Sequence, residues 1–302
     1  MSSNWKGVIP ALMTEMKPNG DLDLDATGRH VEKCIDAGCE GFVMLGTLGE
    51  NSSLSVDEKA EVVAAAVEAS NGRVPVLSGV AEYTTDLAIE SGRRMVRAGA
   101  EGLMVLPCMV YEQDSREAVI HFRALARAVD APMMIYNNRV SYRVDLSPAD
   151  FADLADEKNI VAVKESSHDS RRITDMINRL GDRYDIFCGV DDLVLENMLF
   201  GAVGWVSGMA NCFPGEAVEL YRLAREKKVD EALALYRWFM PLLHLDTAVK
   251  LVQYIKLANQ MTGLGSEYVR APRMTLEGVE RERIEAIIRK AMDDRPALGG
   301  AA

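Results

Sequence analysis

One lysine stands directly after the apolar run Ile160-Val161-Ala162-Val163, and its position suggests chemistry. We expect the amine of Lys164 at the mouth of a buried strand, with small Ala162 beneath its stem. Burial disfavours the ammonium and lowers a lysine pKa, which leaves a neutral amine able to attack a carbonyl carbon and form an imine. The alternative is a strand-end lysine whose amine reaches solvent.

Two further strand exits carry groups that suit imine chemistry. The segment Gly46-Thr47-Leu48-Gly49-Glu50 is either an ordinary tight turn or a nest of backbone N–H groups that binds a carboxylate. Tyr136, followed by Asn137, is either a core aromatic residue or a phenol that transfers protons beside an imine. The occurrence of all three features in one chain favours the chemical interpretation of Lys164.

These exits belong to an alternation of β-rich runs with helical periodicity, which is typical of βα units in a parallel sheet. Eight such units predict a TIM (β/α)8 barrel, whose strand ends meet at one face. An open doubly wound sheet is the alternative, and the first strand lacks the Gly-x-Gly-x-x-Gly that often accompanies it. The predicted strands are 7–13, 41–45, 74–78, 102–106, 132–136, 160–164, 184–188 and 203–206, and the predicted barrel helices are 25–37, 55–69, 84–98, 115–129, 147–155, 170–179, 192–199 and 214–225.

Local signals support these boundaries. Ser55 and Glu58 have the spacing of a capping box, and Gly38, Gly99 and Gly181 stand where helices should end. We expect residues 1–227 to form the barrel and 228–295 a helical extension, with a disordered tail at 296–302. The predicted helices of the extension are 229–243, 247–261 and 276–290.

Composition limits the classes of partner. The chain has 302 residues, a net charge of -12 and a pI near 4.9, which argues against binding to nucleic acid or to an anionic membrane. The sequence lacks a signal-like leader and a long apolar stretch, so we expect a cytoplasmic protein. The five cysteines are scattered and the four histidines show no metal-binding spacing, so we expect reduced thiols and no metal.

The motifs, taken in order, resemble one enzyme family. Gly-Thr-x-Gly-Glu after the second strand, Tyr-Asn after the fifth and Val-Lys-Glu-Ser at the sixth are similar to the dihydrodipicolinate synthase and N-acetylneuraminate lyase family of Schiff-base lyases. The similarity runs from Gly7 to about Pro214, and helices follow as in the family. It implies a homo-oligomer, tetramer or dimer, that needs no metal or organic cofactor because the imine forms on the enzyme itself.

The resemblance also implies roles for individual residues. Lys164 would form the imine, Tyr136 would transfer protons, and the Thr47 hydroxyl would orient the Tyr136 phenol. The loop at Gly46 would bind the substrate carboxylate through the amides of Thr47 and Leu48. Further substrate-binding residues would be Asn137, Ser141, Arg143, Val206 and Ser207.

Three positions depart from the lysine-pathway synthase of that family. Leu48 stands where the synthase has threonine, Met109 where it has a relay tyrosine, and Ser141 where an arginine binds the semialdehyde carboxylate. A thioether cannot relay a proton. Arg139 and Arg143 are nearby in sequence, and the direction of each side chain decides whether either can substitute for the arginine. These departures disfavour the synthase reaction.

The expected substrate is therefore a small 2-oxo acid or its cyclic imine. The apolar Leu48 and the absent relay tyrosine resemble the dehydratase, deaminase and hydratase-aldolase branches. The specific hypothesis is a deaminase that converts 1-pyrroline-4-hydroxy-2-carboxylate to 2-oxoglutarate semialdehyde in hydroxyproline catabolism. The alternatives are 4-hydroxy-tetrahydrodipicolinate synthase and another pyruvate-dependent aldolase or hydratase-aldolase.

Two other classes remain open on the sequence alone. A metal-dependent enzyme on the same barrel would use Glu50, His168, Asp191 and Asp192 as candidate ligands. A non-catalytic sensor would keep the pocket and bind a 2-oxo acid without forming a product. Activity in the presence of chelator would argue against the first class, and product formation would argue against the second.

Overall fold

Eight short parallel strands form one sheet that curves into a nearly closed barrel. The computed structural model describes residues 5–108 and 110–298. Strand β1 pairs with β8, each later strand pairs with the next in the chain, and the bridge between Ala11 and Val43 joins β1 to β2. The alternative of an open doubly wound sheet is therefore wrong. The strands are β1 (Gly7–Pro10), β2 (Phe42–Met44), β3 (Val76–Val80), β4 (Gly102–Val105), β5 (Met133–Asn137), β6 (Ile160–Glu165), β7 (Asp185–Cys188) and β8 (Gly204–Ser207).

Helices alternate with the strands, as the sequence pattern predicts. Ser55 and Glu58 form the predicted capping box, and Gly38, Gly99 and Gly181 have positive φ angles at helix ends. One short helix, α5, has no counterpart among the predicted elements. The helices of the barrel are α1 (Leu24–Asp36), α2 (Val56–Ser70), α3 (Thr85–Arg97), α4 (Ser115–Ala128), α5 (Arg139–Tyr142), α6 (Pro148–Asp153), α7 (Arg171–Leu180), α8 (Val194–Leu199) and α9 (Pro214–Arg225).

The barrel has a filled interior beneath its open end. Side chains that point inward alternate along each strand with those that pack against the helices. This inner layer packs beneath the side chains at the carboxyl ends of the strands and supports them. Its members include Ile9, Val43, Leu77, Met104, Met134, Ala162, Phe187 and Val206.

Three helices follow the barrel: α10 (Val229–Asp246), α11 (Leu251–Met261) and α12 (Gly278–Asp293). Helix α10 packs on α9 and carries the stacked pair Trp238 and Phe239. It runs three residues beyond its predicted end at residue 243, so Asp246 forms its last residue. Residues 299–302 of the predicted tail lie outside the described residues.

No helix in the described ranges has the length and apolar character needed to cross a membrane. The five cysteines are all buried, and none of them forms a disulfide in the structure.

Candidate active site

A cavity of about 470 Å³ opens at the carboxyl ends of the barrel strands. Its floor is the inner layer of the barrel, and the residues around it come from the strand exits and from the segment between the end of α10 and the start of α11. The described lining residues include Gly46, Thr47, Leu48, Tyr136, Asn138, Ser141, Tyr142, Lys164, His168, Gly189, Gly208 and Asp246. Lys164, Tyr136 and the loop after β2, far apart in sequence, therefore meet in one place.

Lys164 lies inside the barrel and opposite Tyr136 in the register of β5 and β6. Its side chain is 6% exposed, and its Nζ lies 4.3 Å from the centroid of the Tyr136 ring. Burial lowers the pKa of Lys164, although nearby acidic groups, first among them Asp246, oppose that effect. A Cβ at residue 189 would stand 2.6 Å from Cγ and 2.8 Å from Cε of Lys164, so Gly189 leaves the space that the amine needs.

Tyr136 presents a neutral phenol next to this amine. Burial raises the pKa of Tyr136 to about 12, and a hydrogen bond from Asn138 partly offsets the rise. The Asn138 side-chain amide donates to the Tyr136 oxygen at 3.0 Å. This donor leaves the phenolic proton free for a bound substrate. Asn138 was not among the residues predicted for the site.

The loop after β2 offers two free backbone donors. Neither the Thr47 nor the Leu48 N–H donates a hydrogen bond to any residue that the structure describes. The loop is held from outside: the Thr14 hydroxyl donates to the Gly49 carbonyl at 2.7 Å, and the Asn51 amide donates to the Leu45 carbonyl at 2.9 Å. Fixed, unpaired N–H groups that point into a cavity are suited to bind a carboxylate.

A buried ion pair supports the same loop from the C-terminal extension. Lys256 on α11 is fully buried, and its Nζ lies 2.7 Å from Glu50, the last residue of the loop motif. The ammonium also donates to the carbonyls of Thr14 at 2.9 Å and Tyr268 at 2.6 Å. Because all three N–H donors of its ammonium have partners, Lys256 has a structural role: it stabilises the loop after β2.

The predicted contact between the Thr47 hydroxyl and the Tyr136 phenol is wrong. The Thr47 hydroxyl is hydrogen bonded to the phenol of Tyr142 instead. Tyr142 ends the unpredicted helix α5, and this turn brings its ring into an edge contact with the Tyr136 ring, with centroids 5.5 Å apart. A second tyrosine therefore reaches the site from the same chain.

Asp246 is a further cavity residue that the sequence analysis did not identify. Its carboxylate lies over the α-carbon of Gly208, where a Cβ would stand 3.0 Å from its Cγ. Burial raises the pKa of Asp246 well above its usual range, Asp191 raises it further, and Lys164 opposes the rise. The carboxyl group therefore holds a proton more readily than an exposed aspartate does.

The candidate metal ligands do not converge. Glu50 is paired with Lys256, and Asp192 accepts from His244 at 2.8 Å. Asp191 accepts from the Trp205 indole at 2.8 Å and from the Met209 N–H at 2.7 Å, so it fixes the loop after β8. Within residues 5–108 and 110–298, no three His, Cys, Asp or Glu side chains form a group that could hold a metal. The geometry therefore gives the metal-dependent alternative no support.

Several predicted binding residues lie away from the cavity. The Asn137 amide donates to Glu165 at 2.9 Å and to the Leu146 carbonyl at 3.1 Å, so it turns outward. Val206 packs in the inner layer beneath the site, and the Ser207 hydroxyl donates to Asp191 at 3.1 Å. Gly208, the next residue, is the one that lines the cavity.

Arg139 and Arg143, the two candidates for a substrate-binding arginine, also lie away from the cavity. Arg143 is exposed at a left-handed turn, and the Arg139 guanidinium donates to the Ser167 carbonyl at 3.1 Å. Neither arginine lines the cavity, whereas Ser141 does. Met109, which stands where the synthase has its relay tyrosine, lies outside the described residues.

Comparisons with known proteins agree with this fold. A sequence model of the Dihydrodipicolinate synthetase family matches residues 4–291. The chain is 33% identical over 290 residues to a 4-hydroxy-tetrahydrodipicolinate synthase from Pelobacter propionicus, covering 94% of this chain and 98% of that protein. The crystal structure of dihydrodipicolinate synthase from Aquifex aeolicus superimposes with a TM-score of 0.90 at 30% identity, covering 95% of this chain and 98% of that one.

A second solved structure is informative about ligands. The dihydrodipicolinate synthase from Acinetobacter baumannii, crystallised with pyruvate, superimposes with a TM-score of 0.91 at 28% identity, covering 95% of this chain and 99% of that one. The barrel, the buried lysine and its tyrosine define a class I Schiff-base lyase. The chain belongs to the dihydrodipicolinate synthase family.

Proposed function

We propose that this enzyme is a deaminase that converts 1-pyrroline-4-hydroxy-2-carboxylate to 2-oxoglutarate semialdehyde and ammonia. The main support for this proposal is the charge of the cavity. Its described lining contains one carboxylate cradle, at Thr47 and Leu48, and no arginine. A substrate with a single carboxylate and a hydroxyl group suits such a cavity, because a second carboxylate would find no arginine in that lining and would share the cavity with Asp246.

The reaction begins with the neutral amine of Lys164. It attacks C2 of the cyclic imine while the Thr47 and Leu48 amides hold the substrate carboxylate, and the C2–N bond of the ring breaks to leave a primary amine on C5. The substrate is then a protonated imine of Lys164, which withdraws electrons from C3. This covalent imine supplies the electron sink, so the proposal includes neither a metal nor an organic cofactor.

Proton transfers complete the conversion. Tyr136 takes up the proton that leaves C3 and releases its own phenolic proton to solvent. The electron pair left at C3 expels the C4 hydroxyl group, which gains one proton in the cavity and departs as water. Proton shifts move the double bond toward C5 and produce an imine of ammonia. One water hydrolyses that imine to the aldehyde, and a second releases C2 from Lys164 as the oxo group. The net reaction consumes one water and releases one ammonia.

The second candidate is 4-hydroxy-tetrahydrodipicolinate synthase, which the names of the relatives favour. That reaction joins pyruvate to aspartate semialdehyde, whose own carboxylate needs a binding group. Ser141 supplies a hydroxyl at the position where the synthase has arginine, and neither Arg139 nor Arg143 lines the cavity. The cavity therefore fits the deaminase substrate better.

A coupled assay distinguishes the two reactions. The purified enzyme is given the hydroxypyrroline together with an excess of 2-oxoglutarate semialdehyde dehydrogenase, and both nicotinamide reduction and ammonia release are recorded. We expect equal amounts of the two products, and neither with Lys164→Met. Turnover of pyruvate plus aspartate semialdehyde without turnover of the pyrroline would contradict the proposal.

Sedimentation of the same sample measures whether the enzyme is the homo-oligomer, tetramer or dimer, that the resemblance implies.

A further inference from the structure

The cavity contains one acid that the chemistry of Lys164 and Tyr136 does not use. Asp246 is the last residue of α10, an element of the C-terminal extension rather than of the barrel. It nevertheless lines the same cavity as Lys164 and Tyr136. Most carboxylates near strand exits in this chain have a structural partner, as Glu50 has in Lys256 and Asp191 has in Trp205. Asp246 accepts no hydrogen bond from a side chain in the described part of the chain.

The surroundings of Asp246 fix its direction. Gly208 provides a surface without a side chain, and the carboxylate rests directly on it. The backbone N–H of Asp191 acts on the same carboxylate from the turn after β7. Lys164 is the cationic group that opposes the rise in the pKa of Asp246, and Asp246 is in turn the first acidic group acting on Lys164. The carboxylate and the amine therefore line the same cavity and influence each other's charge.

We propose that Asp246 is a catalytic acid that protonates the C4 oxygen of the imine-bound substrate as it leaves. This inference rests on the proposed function, since it requires a substrate with a C4 hydroxyl group. The protonated carboxyl group of Asp246 gives its proton to the C4 oxygen while the C3–C4 double bond forms and the C4–O bond breaks, so the oxygen departs as water, and solvent then returns a proton to the carboxylate.

The ionisation of Asp246 gives this step a defined dependence on pH. Burial and neighbouring negative charge favour the protonated form, which is the form that donates. Activity should therefore fall as rising pH removes that proton. The other titratable groups that line this cavity are Lys164 on β6, Tyr136 on β5, Tyr142 on α5 and His168 after β6. Asp191 and Asp192, on the turn after β7, do not line the cavity but act on Asp246 through their charge.

Asp246→Asn tests the proposal, with Asp230→Asn as the matched control on the exposed first turn of the same helix. We expect Asp246→Asn to lower turnover of the hydroxypyrroline by about 10²–10⁴-fold and to abolish the decline at high pH. Imine formation with pyruvate, trapped by borohydride, should stay within about twofold of wild type because pyruvate has no C4 oxygen to protonate. The control should match wild type in both assays.

Mass measurement of the trapped adduct identifies the affected step. Borohydride added during turnover should capture mostly dehydrated adduct on the wild type, and on Asp246→Asn an adduct heavier by one water. Turnover of Asp246→Asn within about twofold of wild type, or an equal loss of pyruvate trapping, would overturn the proposal.

The proposed substrate can be wrong even if the proposed role of Asp246 is right, and the experiments distinguish these two cases. If the wild type ignores the pyrroline but dehydrates an open-chain 4-hydroxy-2-oxo acid, the proposed function fails, and Asp246→Asn is compared on that acid with the same expectations. A wild type that cleaves such acids to pyruvate, or that acts on no C4-hydroxylated substrate, overturns both proposals.

Discussion

Lys164 and Lys256 are both buried lysines at the same end of the barrel, yet their surroundings differ in almost every respect. Lys256 donates to three oxygen atoms within 2.9 Å, one of them on Glu50. Lys164 has no hydrogen bond within the described residues, and its Nζ lies against the ring of Tyr136 at 4.3 Å. The comparison teaches that burial alone does not indicate chemistry: a lysine with saturated donors holds structure, whereas one without partners beside a cavity is available to react.

The same substitution at the two lysines should separate these roles. Lys164→Met should lower turnover on the order of 10⁴-fold or more, because methionine fills the space but cannot form an imine. The free energy of unfolding should stay the same or rise, since a buried amine without partners is replaced by an apolar group. Steady-state kinetics and chemical denaturation measure the two quantities. Residual activity within tenfold of wild type would remove Lys164 from the mechanism.

Tyr136, whose ring lies against the Lys164 amine, is the next test. Tyr136→Phe keeps the ring beside the amine but removes the proton-transfer group, so we expect turnover to fall by about 10²–10⁴-fold. Borohydride trapping with pyruvate should survive in part, since the nucleophile is intact. Tyr83→Phe, on an exposed tyrosine, is a suitable control and should leave both measurements unchanged.

Lys256→Met should have the opposite outcome to Lys164→Met. It leaves the Glu50 carboxylate buried without its closest cation, and we expect the free energy of unfolding to fall by about 3–5 kcal/mol. The double variant Lys256→Met with Glu50→Gln should recover part of that loss, because the unpaired charge is then removed. Denaturation curves of the three proteins measure the effect. A single variant as stable as wild type would show that the pair does not hold the loop.

The dependence of imine formation on pH is the smallest expected effect. Only the neutral amine attacks, and burial lowers the pKa of Lys164, so the rate of pyruvate trapping should rise with pH and then level off below 10.5, the ordinary lysine value. Below the lowered pKa the rate should fall about tenfold per pH unit. A rate that still climbs steeply at 10.5 would show that the amine behaves as an exposed lysine.

The barrel and the meeting of Lys164 with Tyr136 were predictable from the sequence. Short apolar runs alternate with helical periodicity, and parallel strands bring their exits to one face, so a lysine at the end of β6 must lie near a tyrosine at the end of β5. The family motifs then identified the loop at Thr47 and Leu48. These predictions depend on local pattern and on the closure of the barrel.

The remaining part of the site depends on contacts that no local pattern encodes. Asp246 comes from a helix that reads as an ordinary amphipathic element, and its entry into the cavity requires the three extra residues at the end of α10. Tyr142 reaches Thr47 only because a short turn, α5, follows β5. Asn137, Val206 and Ser207 stand at strand exits, but alternation and the demands of buried polar groups turn them away from the cavity.

Borohydride trapping with pyruvate, followed by peptide mass mapping, tests the distinction between the two lysines most directly. The account predicts that the reduced adduct lies on the peptide containing Lys164, that the peptide containing Lys256 stays unmodified, and that the mass gain disappears in Lys164→Met. A gain that persists in that variant, or an adduct located on Lys256, would contradict the account.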